Sequence, residues 1–380
     1  MSIVLSLLVL SCCNLIGYPA FVAKPVIDLL GQSKEAFKEN VYQTLPYSWD
    51  KSVAVCPRIY QLMLHEVVDV VEEYDQEIKL TVPGVYYLKQ GCLCNEYWTL
   101  KENVIPLSTD SEHVIPQENN ECVKTLIHNF HDAECAIELS SGTRFVVAAQ
   151  VDDCYEVNFY NHHSQSCQTM MLNKNLFFEP SENCIADFIR ILRTYCEDSQ
   201  GFVPYLWGGA SNAYRLQQAF ALVENDEGGY WKYDHEDRET KSGFDCSALI
   251  LRAARIAGLP FKYRNTATMA WGMEQLQATD AVEQGDTLYF KGHVCVVSDV
   301  ENNLCIESRG YGQGYGRVHE IQIQDLFHGI NNFDELKNAY LRGDSIKLYD
   351  IKKNYKDIAD FRILKLRSIF NADAERLGSA

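Results

Sequence analysis

Gly243-Phe-Asp-Cys-Ser-Ala-Leu-Ile-Leu-Arg-Ala-Ala-Arg-Ile-Ala-Gly258 reads as a helix with a thiol in its first turn. The run is rich in Ala and Leu, and Gly258 with Pro260 just beyond it supplies a stop. A thiolate at Cys246 would meet unsatisfied backbone N–H groups and the positive end of the helix dipole, both of which lower a thiol pKa. An imidazole is the partner such a nucleophile needs, and His293 stands 47 residues on, at the head of Val294-Cys-Val-Val. Taken singly, each residue has a plain alternative: a small buried cysteine at a helix start, and a satisfied core histidine.

Outward from that helix the text is of mixed type. Ile185, Phe188, Ile189, Ile191 and Leu192 repeat at helical spacing up to Tyr195. Pro204-Tyr-Leu-Trp-Gly-Gly offers paired glycines for a tight turn or a close backbone approach. Glu224 to Lys241 is acidic, Tyr-rich and expected on the surface. Thr287-Leu-Tyr-Phe, Val294-Cys-Val-Val and Leu304-Cys-Ile-Glu-Ser follow one another across turn residues as antiparallel strands, so a helix packed on a sheet, the α+β class, is expected. Before residue 181 the text is strand-like. Glu66-Val-Val-Asp-Val-Val-Glu, Glu77-Ile-Lys-Leu-Thr-Val and Glu96-Tyr-Trp-Thr-Leu precede a polar stretch, Ser108 to Glu121, read as a linker. Glu134-Cys-Ala-Ile-Glu-Leu, Thr143-Arg-Phe-Val-Val-Ala-Ala and Cys154-Tyr-Glu-Val-Asn-Phe-Tyr come after it, so two small all-β units in tandem are expected.

The chain has 380 residues, a formal charge of −18 and 47% apolar content, enough for about two or three domains with hydrophobic cores. That balance argues against nucleic acid as a partner, because binding it needs Lys and Arg to replace phosphate counterions. Fourteen cysteines include no C-x-x-C pair, so structural zinc is not expected, and buried free thiols are favoured over a disulfide framework. Ser2 to Ala23 lacks charge and carries Ile-Val-Leu-Ser-Leu-Leu-Val-Leu, which reads as a leader over residues 1–23, with an uncleaved amphipathic or buried N-terminal segment as the alternative. Val9-Leu-Ser-Cys12 is a degenerate lipoprotein box, and export to the periplasm or cell envelope is favoured over a cytoplasmic location.

Tyr205-Leu-Trp-Gly-Gly, Gly243-Phe-Asp-Cys-Ser-Ala-Leu-Ile, Ala257-Gly258, Arg264-Asn-Thr, Gly285-Asp286 and Gly292-His-Val occur in an order that resembles the NlpC-type cysteine peptidases of bacterial cell walls. The resemblance implies a papain-like domain that cuts peptidoglycan stem peptides, with Cys246 as nucleophile, His293 as base and Tyr205 near the oxyanion site. It puts Glu307 in the third catalytic position, where His, Asn or Gln is more familiar, with His319 in reserve. The N-terminal blocks resemble the bacterial SH3-type domains of γ-D-glutamyl-L-diamino acid endopeptidases, through Leu64-His-Glu-Val-Val and Tyr97-Trp98 to Pro106-Leu107. That likeness implies that Glu66, Tyr97, Asp245 and Ser247 hold a free L-Ala amine of the substrate. The expected domains are two SH3-like barrels at 24–108 and 109–180, the peptidase at 181–372 and a tail at 373–380. No metal or cofactor is called for, since a thiolate–imidazolium pair supplies nucleophile, base and acid. The expected rivals are a hydrolase that lyses intact walls and an inactive wall-peptide-binding protein.

Overall fold

The computed structural model describes residues 17–33, 58–108, 113–116, 122–132, 137–198, 201–213, 221–223, 230–232, 242–310, 313–358 and 360–371. The first β unit is a seven-stranded sheet in the order Arg58–Met63, Val26–Leu30, Glu96–Leu100, Glu77–Thr81, Val67–Glu73, Tyr18–Val22 and Val104–Pro106. All its pairings are antiparallel. Alternation builds its core: Val68 and Val70 are buried while Asp69 between them is exposed, and Ile78 and Leu80 face the same interior.

Strand Tyr18–Val22 lies inside the segment read as a leader over residues 1–23 and fits the alternative of a buried N-terminal segment. Ala20, Phe21 and Val22 are fully buried on strand Tyr18–Val22, which is bonded to both Val67–Val70 and Val104–Pro106. Removal through Ala23 would take a strand from the sheet. An uncharged run looks alike whether it serves as a leader core or lines a protein core, and its last residues do the latter. Val9 to Cys12 lie outside the described residues. The polar stretch read as a linker is also partly structural, for Val114 and Ile115 are buried against Phe21.

The second β unit is a four-stranded meander of Val123–Thr125, Arg144–Val151, Cys154–Asn161 and Ser166–Asn173 around Phe145, Val157 and Phe159. Ser166–Asn173 is polar and buries only Leu172, which is why periodicity passes over it.

The α+β class expected for the third unit is observed. Helix α1 spans Cys184–Thr194 and is capped by Asn183, which accepts from the N–H groups of Ile185 and Ala186. Helix α2, Cys246–Ile256, packs on α1 and on a five-stranded antiparallel sheet. Its order is Arg317–Gln322, Leu304–Arg309, His293–Asp299, Thr287–Phe290 and Phe361–Leu364. Helix α3 is Thr266–Gly272. Between the first and last strands of that order the chain inserts α4 (Ile323–Leu326), α5 (Phe333–Arg342) and the hairpin Ile346–Tyr349/Tyr355–Ile358. Val294, Val296, Ile306 and Val318 point into the core shared with α2, whereas Cys295, Val297 and Cys305 point into a second core closed by the insertion through Leu326, Phe327, Leu336 and Leu348.

Buried polar groups join the units. Arg252 of α2 is 2% exposed, yet its guanidinium meets Glu66 Oε1 at 3.1 Å, Gln61 O at 3.1 Å and Ala210 O at 3.2 Å. Ser140 and Asn212 tie the meander to the third unit, with Asn212 Oδ1 accepting from both Ser140 Oγ and the Ser141 N–H. The cysteines within the described residues are free thiols. Among the described residues no helix is long and apolar enough to cross a membrane.

Candidate active site

Asp245 caps α2, its Oδ1 accepting from the N–H groups of Ser247 at 3.0 Å and Ala248 at 2.7 Å. The preceding turn is held by Gly208, whose φ is +72° and where a Cβ would stand 2.3 Å from the Arg58 carbonyl oxygen. Its N–H donates to Asp245 Oδ2 at 3.1 Å. This is the close backbone approach expected of the paired glycines, and it seats the segment on the first β unit. Cys246 follows the cap and is 7% exposed. The expectation of a lowered thiol pKa is not met. Burial pushes the Cys246 thiol up to about 12 and the Asp245 charge adds to it, against a hydrogen bond from the Val294 N–H and the Arg264 charge. Asp245 engages N–H groups of the helix end and sets an anion beside the sulfur, which offsets the pull of the dipole. Sγ therefore rests as a neutral thiol.

Val294 is the residue after His293, so its contact with Cys246 brings the helix start to the head of the His strand. His293 Nε2 lies 2.6 Å from Glu307 Oε2 on the neighbouring strand. Its ring packs on Phe290, 5.1 Å away, which in turn meets Phe327 of the insertion. Burial holds His293 below its ordinary pKa; Glu307 acts to raise it, and Arg309 and His319 act to lower it. Glu307 is 1% exposed. Burial alone would raise its carboxyl, but Arg309 first, then His293 and His319, hold it well below the usual carboxylate range. His319 stands directly across from Glu307 in the strand pairing, with Nε2 3.2 Å from Oε1, and lies stacked on Tyr315. The structure thus gathers Cys246, His293, Glu307 and the reserve His319 into one corner. Tyr205 joins it from the glycine turn: its N–H bonds Gly316 O, its backbone bridges Phe244, and its ring lies against Gly310.

The residues expected to hold a substrate amine have partners within the protein. Glu66 is paired with Arg252 and with Arg255, both at Oε1, and its Oε2 accepts from the Met63 N–H. Tyr97 is fully buried and donates its hydroxyl to Val85 O at 3.2 Å. Asp245 and Ser247 do flank Cys246, but both bind Arg264: Nη2 is 2.7 Å from Asp245 Oδ2, and Nη1 is 2.9 Å from Ser247 Oγ. Arg264 is itself buried over the Tyr60 ring, at 5.2 Å. Sequence reasoning assigned no role to Arg264, Arg252 or Arg309. Arg309 had a legible signal, since residues two apart on a strand share a face and Glu307-Ser-Arg309 is such a pair.

No family model matches the sequence, and no curated protein does. NlpC1 from Trichomonas vaginalis is similar at a TM-score of 0.32 and 10% identity, over 84% of this chain and 93% of its own. The peptidoglycan hydrolase RipB from Mycobacterium tuberculosis is similar at 0.23 and 23%, over 37% of this chain and 58% of its own. A crystal structure of an NlpC/P60 family protein from Bacillus cereus is similar over 90% of this chain and 99% of its own, at 15% identity and a TM-score of 0.53. With the sheet, the thiol at the start of α2 and the His293–Glu307 pair in place, that likeness across nearly the whole chain gives the architecture its name: the fold is that of an NlpC/P60 family protein.

Proposed function

We propose that the protein is a papain-like cysteine peptidase of the cell envelope that hydrolyses peptidoglycan stem peptides, at the bond between γ-D-glutamate and meso-diaminopimelate or Lys. The observation that carries this reading is the 2.6 Å His293–Glu307 pair at the strand head whose next N–H touches the Cys246 sulfur. Glu307 engages Nε2, which leaves Nδ1 as the nitrogen to take the thiol proton when substrate enters. The thiolate then attacks the scissile carbonyl. The Cys246 N–H, which has no acceptor among the described residues, would stabilise the oxyanion together with Tyr205. Imidazolium returns its proton to the leaving amine, and water, activated by the same imidazole, hydrolyses the thioester. In this reading the two β units are SH3-type domains that frame the substrate groove, and the protein works after export.

The pairing of Glu66 with two arginines favours a second form of the reading, a hydrolase that lyses intact walls and accepts a substituted L-Ala. A carboxylate already neutralised in this way has little left to offer an ammonium. Product analysis by mass spectrometry separates the two, using reduced protein on L-Ala-γ-D-Glu-diaminopimelate and on its N-acetylated twin, with Cys246→Ala as the blank. Cleavage of the free peptide alone supports recognition of the amine. Cleavage of both supports the wall-lytic form, and cleavage of neither leaves an inactive peptide-binding protein as the reading.

A further inference from the structure

Arg309 was assigned no part in the site, yet it is the most tightly held side chain around Glu307. It is 1% exposed and shares a strand face with Glu307, two residues away. Its Nη1 lies 3.4 Å from Glu307 Oε1, and its Nε donates to Gln313 Oε1. Its Nη2 donates to the carbonyl of Tyr349, on the hairpin of the insertion, and the guanidinium lies 4.8 Å over the Tyr315 ring. Oε1 of Glu307 is thereby occupied from the far side, and Oε2 is left to His293.

We infer that Arg309 is a positioning residue, anchored by the insertion, that keeps Glu307 ionised and aimed at His293. A fully buried carboxyl with no fixed cation takes up a proton, and in that form it no longer stabilises an imidazolium. Arg309 is the largest of the influences that hold the Glu307 carboxyl down. The other groups facing Glu307 are His293 and Cys295 on one neighbouring strand, His319 on the other, and Tyr315; Lys356 of the insertion faces Arg309. None but Arg309 is both permanently charged and bonded to Glu307. The inference rests on the reading of His293 as the base, but it concerns a proton equilibrium that can be measured without any substrate.

The test follows the imidazole C–H resonance of His293 against pH in the full-length reduced protein, assigned by its loss in His293→Gln. Arg309→Met and Glu307→Gln are each expected to lower the titration midpoint by about one pH unit. The double variant should not fall below Glu307→Gln alone, because a neutral carboxamide leaves Arg309 no charge to hold and loss of the guanidinium lifts its direct downward pull on His293. Arg309→Lys, which keeps the charge, should restore most of the midpoint. An unchanged or raised midpoint in Arg309→Met, or a further fall in the double variant, overturns the inference. If Arg309→Met does not fold, Arg309→Lys and the double variant, which contains no unpaired buried charge, decide it on the same criteria. Inactivity of the wild type toward stem peptides would instead strike the peptidase reading and leave this result standing.

Discussion

Two carboxylates, Glu66 and Glu307, were both expected to serve the reaction, one on substrate and one on the imidazole. Each is met by arginine. Glu66 lies at the seam between the first β unit and α2, where Arg252 and Arg255 take its charge and the Met63 N–H takes its second oxygen. Glu307 lies on the sheet face covered by the insertion, where Arg309 takes one oxygen and the other meets a titratable ring. Pairing with arginine therefore has two meanings. A carboxylate whose every lone pair has a permanent partner joins elements, while one that keeps an oxygen for a histidine takes part in proton chemistry.

The comparison can be broken by substitution. Cys246→Ala sets its baseline, with turnover expected to fall by about 10⁴-fold or more, and an unchanged thermal midpoint would show that the loss is chemical. Glu307→Gln should lower kcat by about 10³-fold with little change in KM, since a base without its orienting partner loses much of its acid–base contribution; steady-state kinetics on the tripeptide checks this. Glu66→Gln should leave kcat unchanged and lower the unfolding free energy by about 4 kcal/mol, because it strands Arg252 in the interior. Denaturant titration reads that loss, and a rise in KM for the free peptide alone would restore Glu66 as a substrate residue. The Glu66 carboxyl is held below its ordinary 4.5, so its stabilisation is complete above that pH and is lost as pH falls through the lower folded value.

His65, the neighbour of Glu66 in the chain, offers the finest contrast. It is buried neutral between the β units: Nε2 accepts from the Tyr160 N–H at 3.0 Å, and Nδ1 faces the Arg144 carbonyl at 3.3 Å. Burial lowers its pKa from 6.5 to about 4. In that window the unfolded chain binds a proton that the folded one refuses, so stability is complete above pH 6.5 and declines as pH falls toward 4. The loss should reach about 3 kcal/mol by pH 4 and be absent in His65→Gln, as equilibrium unfolding at several pH values would measure.

Much of the architecture was legible because its signals are local. Helix α2 carries its own formers and its stop at Gly258, and the strands around Val68, Leu80 and Phe145 carry alternation. The strand Ser166–Asn173 was not, because its outward face buries almost nothing. Nor was the insertion, whose helices bury a face only against a sheet formed by segments on either side of it. Tyr18–Val22 reads equally as leader or as core because hydrophobicity does not say what it will be buried against.

The sequence by itself determined the candidate thiol, Cys246, the candidate base, His293, and the order of the units that present them, because spacing and helix or strand periodicity are properties of neighbouring residues. Only the tertiary structure decided which charge meets which. Glu66 and Arg252 are 186 residues apart, and Asp245 is claimed by Arg264 from across a loop. Whether a buried carboxylate binds substrate, orients a base or holds two domains together depends on the ions brought beside it, and long-range packing brings them.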